Sequence, residues 1–300
     1  MSDDIRFYSE SVKVEDADGV RTIAFDRILP AKTDRRRDRS VLAAHGAFAG
    51  KWTHRDTLIE LAKRGIRGAA LDFSGHHDST SACGLGRTSL AHYCADVNAV
   101  YEWHIAHDGY APNLLGHSMG GIVVQLMAAD RKGNNAPPAV ILFASAPPAG
   151  ISLPFSSSFA SGLSFGSSSL KMGWKVLVGE IIEPTEEDLH AVAKLLDFDP
   201  GDVLKVKDLV SAESGRALHE IVFQEFHVRA ADLSMPVLVV APQDDKILEP
   251  SISEKLCEKH SASILRLPGC GHMAMFEPPW NDAVAKIASW VRKPEKNKVL

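Results

Sequence analysis

Cysteine is scarce in this chain. Its 300 residues include 4 cysteines, Cys83, Cys94, Cys257 and Cys270, and none are spaced as C-x-x-C. So few, so placed, they supply neither a disulfide framework nor a zinc-ribbon ligand set, and they read as reduced thiols. A basic surplus is also missing. Acidic residues number 38 against 33 basic ones, for a formal net charge of −5. Binding to phosphate backbones wants a basic face, so nucleic acid is not expected as a partner. The densest basic run, Arg35-Arg36-Arg37 with Arg39, is broken by Asp38 and preceded by Asp34, which suits a solvated turn. No apolar run approaches the ~20 residues of a membrane helix. Met1-Ser2-Asp3-Asp4 is acidic and polar where a secretory leader is basic and then apolar. These absences set the expectation of a cytoplasmic protein with no membrane partner. There is no internal repeat.

What is present is ordinary for a folded domain: 45% hydrophobic and 24% charged residues. The length suits one large α/β domain, alone or with an insert. Ile5 to Val14 and Val20 to Leu29 alternate like strands around Asp16-Ala17-Asp18-Gly19, a hairpin turn sequence. Val41 to Ala44 is a short continuous apolar run, the pattern of a strand buried on both faces. Helix and strand patterns then alternate. Helices are expected at Thr53–Arg64, Ser89–His107 and Met119–Ala129, and strands at Gly68–Phe73, Asn113–Gly116 and Ala139–Ala144. Such alternation implies right-handed crossovers and a parallel sheet.

The alternation stops between about Pro147 and Ser234. Residues 152–169 are rich in Ser, Gly and Phe, and helical patterns follow at Glu186–Leu196 and Ala217–His227. Leu153, Phe155, Phe159, Leu163 and Phe165 are too many large apolar groups for a flexible linker. The reading is a mostly helical cap over 147–234, inserted between core segments 1–146 and 235–300. The sheet pattern resumes at Met235–Ala241, then a helix at Ser251–His260, a strand at Ser263–Leu267 and a last helix at Asn281–Arg292.

Gly116-His117-Ser118-Met119-Gly120 fits G-x-S-x-G. The pattern requires a strand to turn sharply into a helix with the serine at the apex. Side chains two residues either side would crowd that turn. The serine oxygen then stands near a helix N-terminus, which favours developing negative charge. Leu114-Leu115 before the motif and the helical run after it supply the required context.

Here the sequence resembles the α/β-hydrolase superfamily of esterases, lipases and relatives, over nearly the whole chain. His45-Gly46-Ala47-Phe48 looks like that family's oxyanion segment. Asp72-Phe73-Ser74-Gly75-His76-His77-Asp78-Ser79 looks like its D-x-x-G-x-G-x-S turn, except that His77 stands where glycine is usual. Gln243-Asp244-Asp245-Lys246-Ile247-Leu248 looks like its acid loop, and Gly269-Cys270-Gly271-His272 like its histidine loop. The resemblance implies the α/β-hydrolase fold, a mostly parallel sheet flanked by helices with an inserted, mainly helical cap. It implies Ser118 as nucleophile, His272 as base and Asp245 as the acid that orients it, with Asp244 the alternative. The backbone amides of Ala47 and Met119 would hold the oxyanion. His45 would be structural.

Phe48, Trp52, His117, Phe155, Phe159 and Met273 are the candidate pocket set; Met172, Trp174 and Met275 are further possibilities, and each also fits plain core. Adjacent His76 and His77 lack a third ligand at metal spacing, so no metal and no cofactor are expected. The implied substrate is a small-molecule carboxylic ester or lactone. An aspartate nucleophile is disfavoured by Ser118, and a proline aminopeptidase by Met119, where those relatives usually carry Trp. The run of motifs is similar to that of bacterial serine-dependent macrolide esterases. Thioester hydrolysis, acyl transfer and a non-catalytic receptor on the same fold are the competing readings.

Overall fold

The computed structural model describes residues 5–31, 39–153, 175–195, 207–296 and 298–300. The hairpin forms as the alternation predicts. Strands β1 (Arg6–Asp16) and β2 (Gly19–Leu29) pair antiparallel in a register that closes at Asp16 opposite Gly19. Gly19 has φ +119°, which only glycine adopts freely.

The hairpin forms one side of an eight-stranded sheet ordered β1-β2-β4-β3-β5-β6-β9-β10. Beyond β2 every pairing is parallel except β2 with β4 (Arg67–Leu71). The strands are β3 (Ser40–Ala44), β5 (Asn113–His117), β6 (Val140–Phe143), β9 (Val237–Pro242) and β10 (Ser263–Leu267).

Continuous apolar runs explain why these central strands are covered on both sides. Successive side chains point to opposite faces, so a strand buried on both must be apolar at every position. Leu42, Leu114, Val140, Leu142 and Val239 join one core cluster with α2 (Leu90–Asp108), α3 (Met119–Ala129) and α6 (Pro250–His260). Val41, Ala43, Leu115, Ile141, Phe143, Leu238 and Val240 join the other, with α1 (Arg55–Lys63) and α7 (Trp280–Arg292). The chain thus has the mostly parallel, helix-flanked sheet that its pattern predicts, and with it the α/β-hydrolase fold that the resemblance implies. A short 3-10 turn at Lys51–His54 takes the place of the first turn expected for α1.

Between β6 and β9 the described residues include α4 (Glu186–Leu195), α5 (Gly215–Val222) and a helical turn at 175–178. They also include a two-stranded ladder, β7 (Ile181–Ile182) against β8 (Glu213–Ser214), which the pattern did not announce because each strand is two residues long. Helix α5 is shorter than the expected 217–227. Ser214 Oγ accepts the Ala217 N–H and starts it early, and Gln224, at φ +52°, ends it. Phe155, Phe159, Met172 and Trp174 lie outside the described residues.

The buried histidines make stability depend on pH. Burial pushes His54 and His260 down to about 4. Burial, reinforced by a neighbouring imidazole, takes His45 and His117 well below the ordinary value. In the unfolded chain all four return to about 6.5. A depressed folded-state value means that the unfolded chain binds more protons, so stability falls as pH drops from about 6.5 towards 4. His76 is shifted upward by its pairing with Glu213, so it is charged in both states over this window and leaves the trend unchanged. Each depressed histidine takes up close to one proton on unfolding near pH 5, so the unfolding free energy falls steadily as the solution is acidified. Denaturant midpoints measured from pH 7 to pH 4.5 should show that decline; a flat profile would contradict it.

Candidate active site

The strand β5 ends at His117 and α3 begins at Met119, leaving Ser118 alone at the apex with φ +52° and ψ −118°. Non-glycine residues rarely hold such a backbone, and it persists only where the surroundings enforce it. Both flanking glycines are required by close approach. A Cβ on Gly116 would stand 2.3 Å from the Gly120 carbonyl oxygen, and one on Gly120 would stand 2.3 Å from that of Ala44. The strand and the helix therefore cross backbone to backbone, and the serine is pushed out at the carboxyl edge of the sheet.

Two further loops at the same edge supply its partners. After β9, Asp245 is buried while Asp244 is exposed. Asp245 Oδ1 accepts the N–H groups of Ile247 and Leu248 at 2.8 and 2.9 Å, which fixes the carboxylate. After β10, Gly269 turns at φ +71° and Gly271 N–H is held by Glu277 Oε1. His272 then lies with Nδ1 2.8 Å from Asp245 Oδ2 and Nε2 3.0 Å from Ser118 Oγ. With Nδ1–H donated to the carboxylate, Nε2 is left as the acceptor for the serine hydroxyl. Of the two aspartates considered from sequence, Asp245 is the one the structure brings to His272. It is held there from a strand separate from the one that leads into Ser118.

The loop after β3 runs past the serine. A Cβ on Gly46 would lie 3.1 Å from Ser118 Cβ, so the Ala47 backbone follows directly beside Ser118. Met119 N–H belongs to the first turn of α3 and has no partner within the helix. Neither the Ala47 nor the Met119 amide has an acceptor among the described residues. His45 holds this loop as expected: Nδ1 donates to Gly46 O and Nε2 accepts from Phe73 N–H.

The family model for the alpha/beta hydrolase family matches residues 41–287, which is most of the chain. The chain belongs to the alpha/beta hydrolase family. No curated protein sequence matches it. Among solved structures it is similar to a thermophilic esterase from Thermogutta terrifontis, with TM-score 0.65 and 20% identity over 95% of this chain and 98% of that one. It is likewise similar to an esterase from Exiguobacterium antarcticum, with TM-score 0.69 and 16% identity over 95% and 100%. A third is the monoacylglycerol lipase of Paleococcus ferrophilus, with TM-score 0.63 and 20% identity over 96% and 98%. At these identities the likeness is one of fold. No helix among the described residues is long and apolar enough to cross a membrane.

The remaining candidates of this alpha/beta hydrolase divide. Phe48, Trp52 and Met273 are half-buried, and Trp52 stacks on Phe276 with ring centroids 5.9 Å apart. His117 is a correction to the pocket set. It is buried, its ring lies 4.7 Å from Phe143, and its Nε2–H donates to the His272 carbonyl at 3.0 Å. It braces the histidine loop from within the protein. Motif position could not reveal this, because the partner is a backbone oxygen 155 residues away. Both ring nitrogens of His76 are engaged, by Ser74 O and Glu213 Oε2, which leaves neither for a metal. Among the described residues Asp18, Cys83 and His92 bring three potential ligand atoms within 4.8 Å, and none of them belongs to the serine–histidine row. Glu213, buried in β8, was not singled out from sequence; nothing in Ser211-Ala212-Glu213-Ser214 marks it.

Proposed function

We propose that this protein is a serine-dependent carboxylic ester hydrolase working through an acyl-enzyme. The observation that carries the reading is the unbroken hydrogen-bonded row from Ser118 Oγ through His272 to Asp245. Ser118 alone is a weak nucleophile. As its oxygen attacks the substrate carbonyl, its proton passes to His272 Nε2, and Asp245 stabilises the imidazolium. The oxyanion is held by the amides of Ala47 and Met119, an arrangement worth on the order of a hundred- to thousandfold in rate per donor. The tetrahedral intermediate expels an alkoxide, which takes the proton back from His272. Water then attacks the acyl group, with His272 as base, and Ser118 is restored. No step needs a metal or cofactor. The segment 147–234 acts as a cap that selects the substrate.

Within this class the finer proposal is a macrolide-type lactone, supported by the similarity of the motif run to macrolide esterases. The same row of residues would also serve a thioester. Both are separated by mass spectrometry on a panel of short esters, fatty-acyl esters, thioesters and macrolides. The expected result is the gain of one water by an ester or lactone, dependent on Ser118. Short esters cleaved while every macrolide stays intact would remove the lactone reading. A panel that turns over only thioesters, or none at all, would reject the ester hydrolase.

A further inference from the structure

Glu213 belongs to the inserted segment, yet it reaches the loop beside the nucleophile. Its carboxylate is fully buried and accepts four hydrogen bonds. Oε1 takes Tyr93 O–H and its own neighbour Ser214 N–H, each at 2.7 Å; Oε2 takes Phe48 N–H at 3.1 Å and His76 Nε2–H at 3.2 Å. Every lone-pair position of an ionised carboxylate is thereby used. His76 faces an acceptor from both nitrogens, Ser74 O at 3.3 Å being the second, and only the imidazolium donates from both. Burial alone would drive both groups towards their neutral forms. Their mutual attraction outweighs it, raising His76 and lowering Glu213.

Phe48 is the residue after Ala47. Its φ is +60°, a conformation that a bulky side chain does not hold without external support. That support comes from residues 211–213. Besides the Glu213 contact, Ser211 N–H donates to Phe48 O at 3.0 Å and Ser211 Oγ donates to Ala49 O at 3.1 Å. Three hydrogen bonds from one short segment fix both sides of Phe48, and with them the direction in which the chain leaves Ala47.

We propose that Glu213 is a positioning residue that holds the Ala47–Phe48 turn in its strained conformation, so that the Ala47 amide is aimed at the substrate oxyanion only while the cap strand is docked. The inference rests on the ester hydrolase reading and deepens it. Glu213 touches no reacting atom. It acts by fixing a donor in advance, and a donor displaced by about an ångström loses most of its effect on the transition state while ground-state binding changes little. The inserted segment therefore completes the machinery of the core as well as covering it.

The test compares Glu213→Gln with Glu220→Gln. Glu220 is a second buried carboxylate of the same segment; it holds Leu90 N–H at 2.7 Å and Arg216, and it shares no hydrogen bond with the 45–50 loop. Active sites are counted by the end-point of fluorophosphonate labelling, and rates are expressed per titrated site. For Glu213→Gln, kcat should fall by about 10- to 100-fold with KM changed less than about threefold. The inhibition constant of a trifluoromethyl ketone, whose adduct carries an oxyanion, should rise by the same factor. Glu220→Gln should keep the wild-type kcat per site. Equal effects in the two variants, or a rise in KM alone, would overturn the proposal.

Hydrogen exchange of the Phe48 amide separates this failure from that of the ester hydrolase reading. Exchange should accelerate in Glu213→Gln whether or not any ester is cleaved, and an unchanged rate overturns the positioning role. If Glu213→Gln does not fold, Ser211→Ala removes one of the three straps and should lower kcat per site about threefold; an unchanged kcat would then count against the proposal.

Discussion

If the proposed mechanism operates, Ser118→Ala is expected to lower kcat for ester cleavage by about a millionfold, to the level of the residual catalysis that binding and the amide donors alone supply. The size follows from the way the row works. His272 Nε2 has one serine hydroxyl to activate, at 3.0 Å, and alanine leaves it with none. The substitution removes a single oxygen from the apex of a turn whose shape is set by Gly116 and Gly120. Stability should therefore change little, and KM should stay close to wild type. The check is single-turnover and steady-state kinetics on the same ester, with thermal melting as the control for folding. A variant retaining even a tenth of the wild-type kcat would contradict the nucleophile assignment.

On the same proposal, Asp245→Asn is expected to lower kcat by about ten-thousandfold near neutral pH. The expectation is sharper here than a lost charge would make it. Two backbone N–H groups, those of Ile247 and Leu248, already point at Oδ1. In an asparagine the carbonyl oxygen must take that position, because an amide NH₂ there would face two donors. The NH₂ then occupies the Oδ2 place and points at His272 Nδ1, 2.8 Å away. Nδ1 can meet it only as an acceptor, so the ring proton moves to Nε2 and the imidazole can no longer take the proton from Ser118. Kinetics above and below neutrality, together with the ¹⁵N shifts of His272, report the tautomer directly. An Asp245→Asn enzyme within tenfold of wild type would show that the carboxylate does not orient the base. By contrast Asp244→Asn, on an exposed neighbour, should be close to silent.

These two residues also show where the sequence is informative. Ser118 was legible because its motif is a steric requirement: a strand and a helix that meet backbone to backbone need glycine on both sides of the apex. The central strands were legible for a related reason. Burial on both faces removes the polar half of the usual alternation, so Val41 to Ala44 and Val237 to Ala241 read as continuous apolar runs. Asp245 and Asp244 are adjacent acids on one loop, and local chemistry separates them poorly. Only the folded loop shows which is buried against His272. His77 stands where the resembling turn has glycine, and the structure keeps the glycine-like backbone there, at φ +42°.

The least legible features depend on contacts distant in sequence. Glu213 meets Phe48, His76 and Tyr93 across separations of 120 to 165 residues, and no pattern within Ser211–Ser214 encodes that meeting. His117 reads as a pocket residue until its partner, the carbonyl of His272, is in view. The two-residue strands β7 and β8 are too short for any period to register. The helical pattern at Ala217–His227 runs past the point where Gln224 turns the backbone and α5 has ended. In each case tertiary contacts decided what local propensity left open.

In the proposed reaction one hydroxyl, activated by one imidazole, forms the covalent intermediate. Intact-protein and peptide mass spectrometry after brief exposure to a fluorophosphonate, or to a slowly released ester trapped by acid, tests it most directly. One adduct per chain is expected, on Ser118 alone, forming rapidly in the wild type and far more slowly in His272→Ala. An adduct located on another residue, or ester cleavage that continues while Ser118 stays unmodified through every turnover, would contradict it.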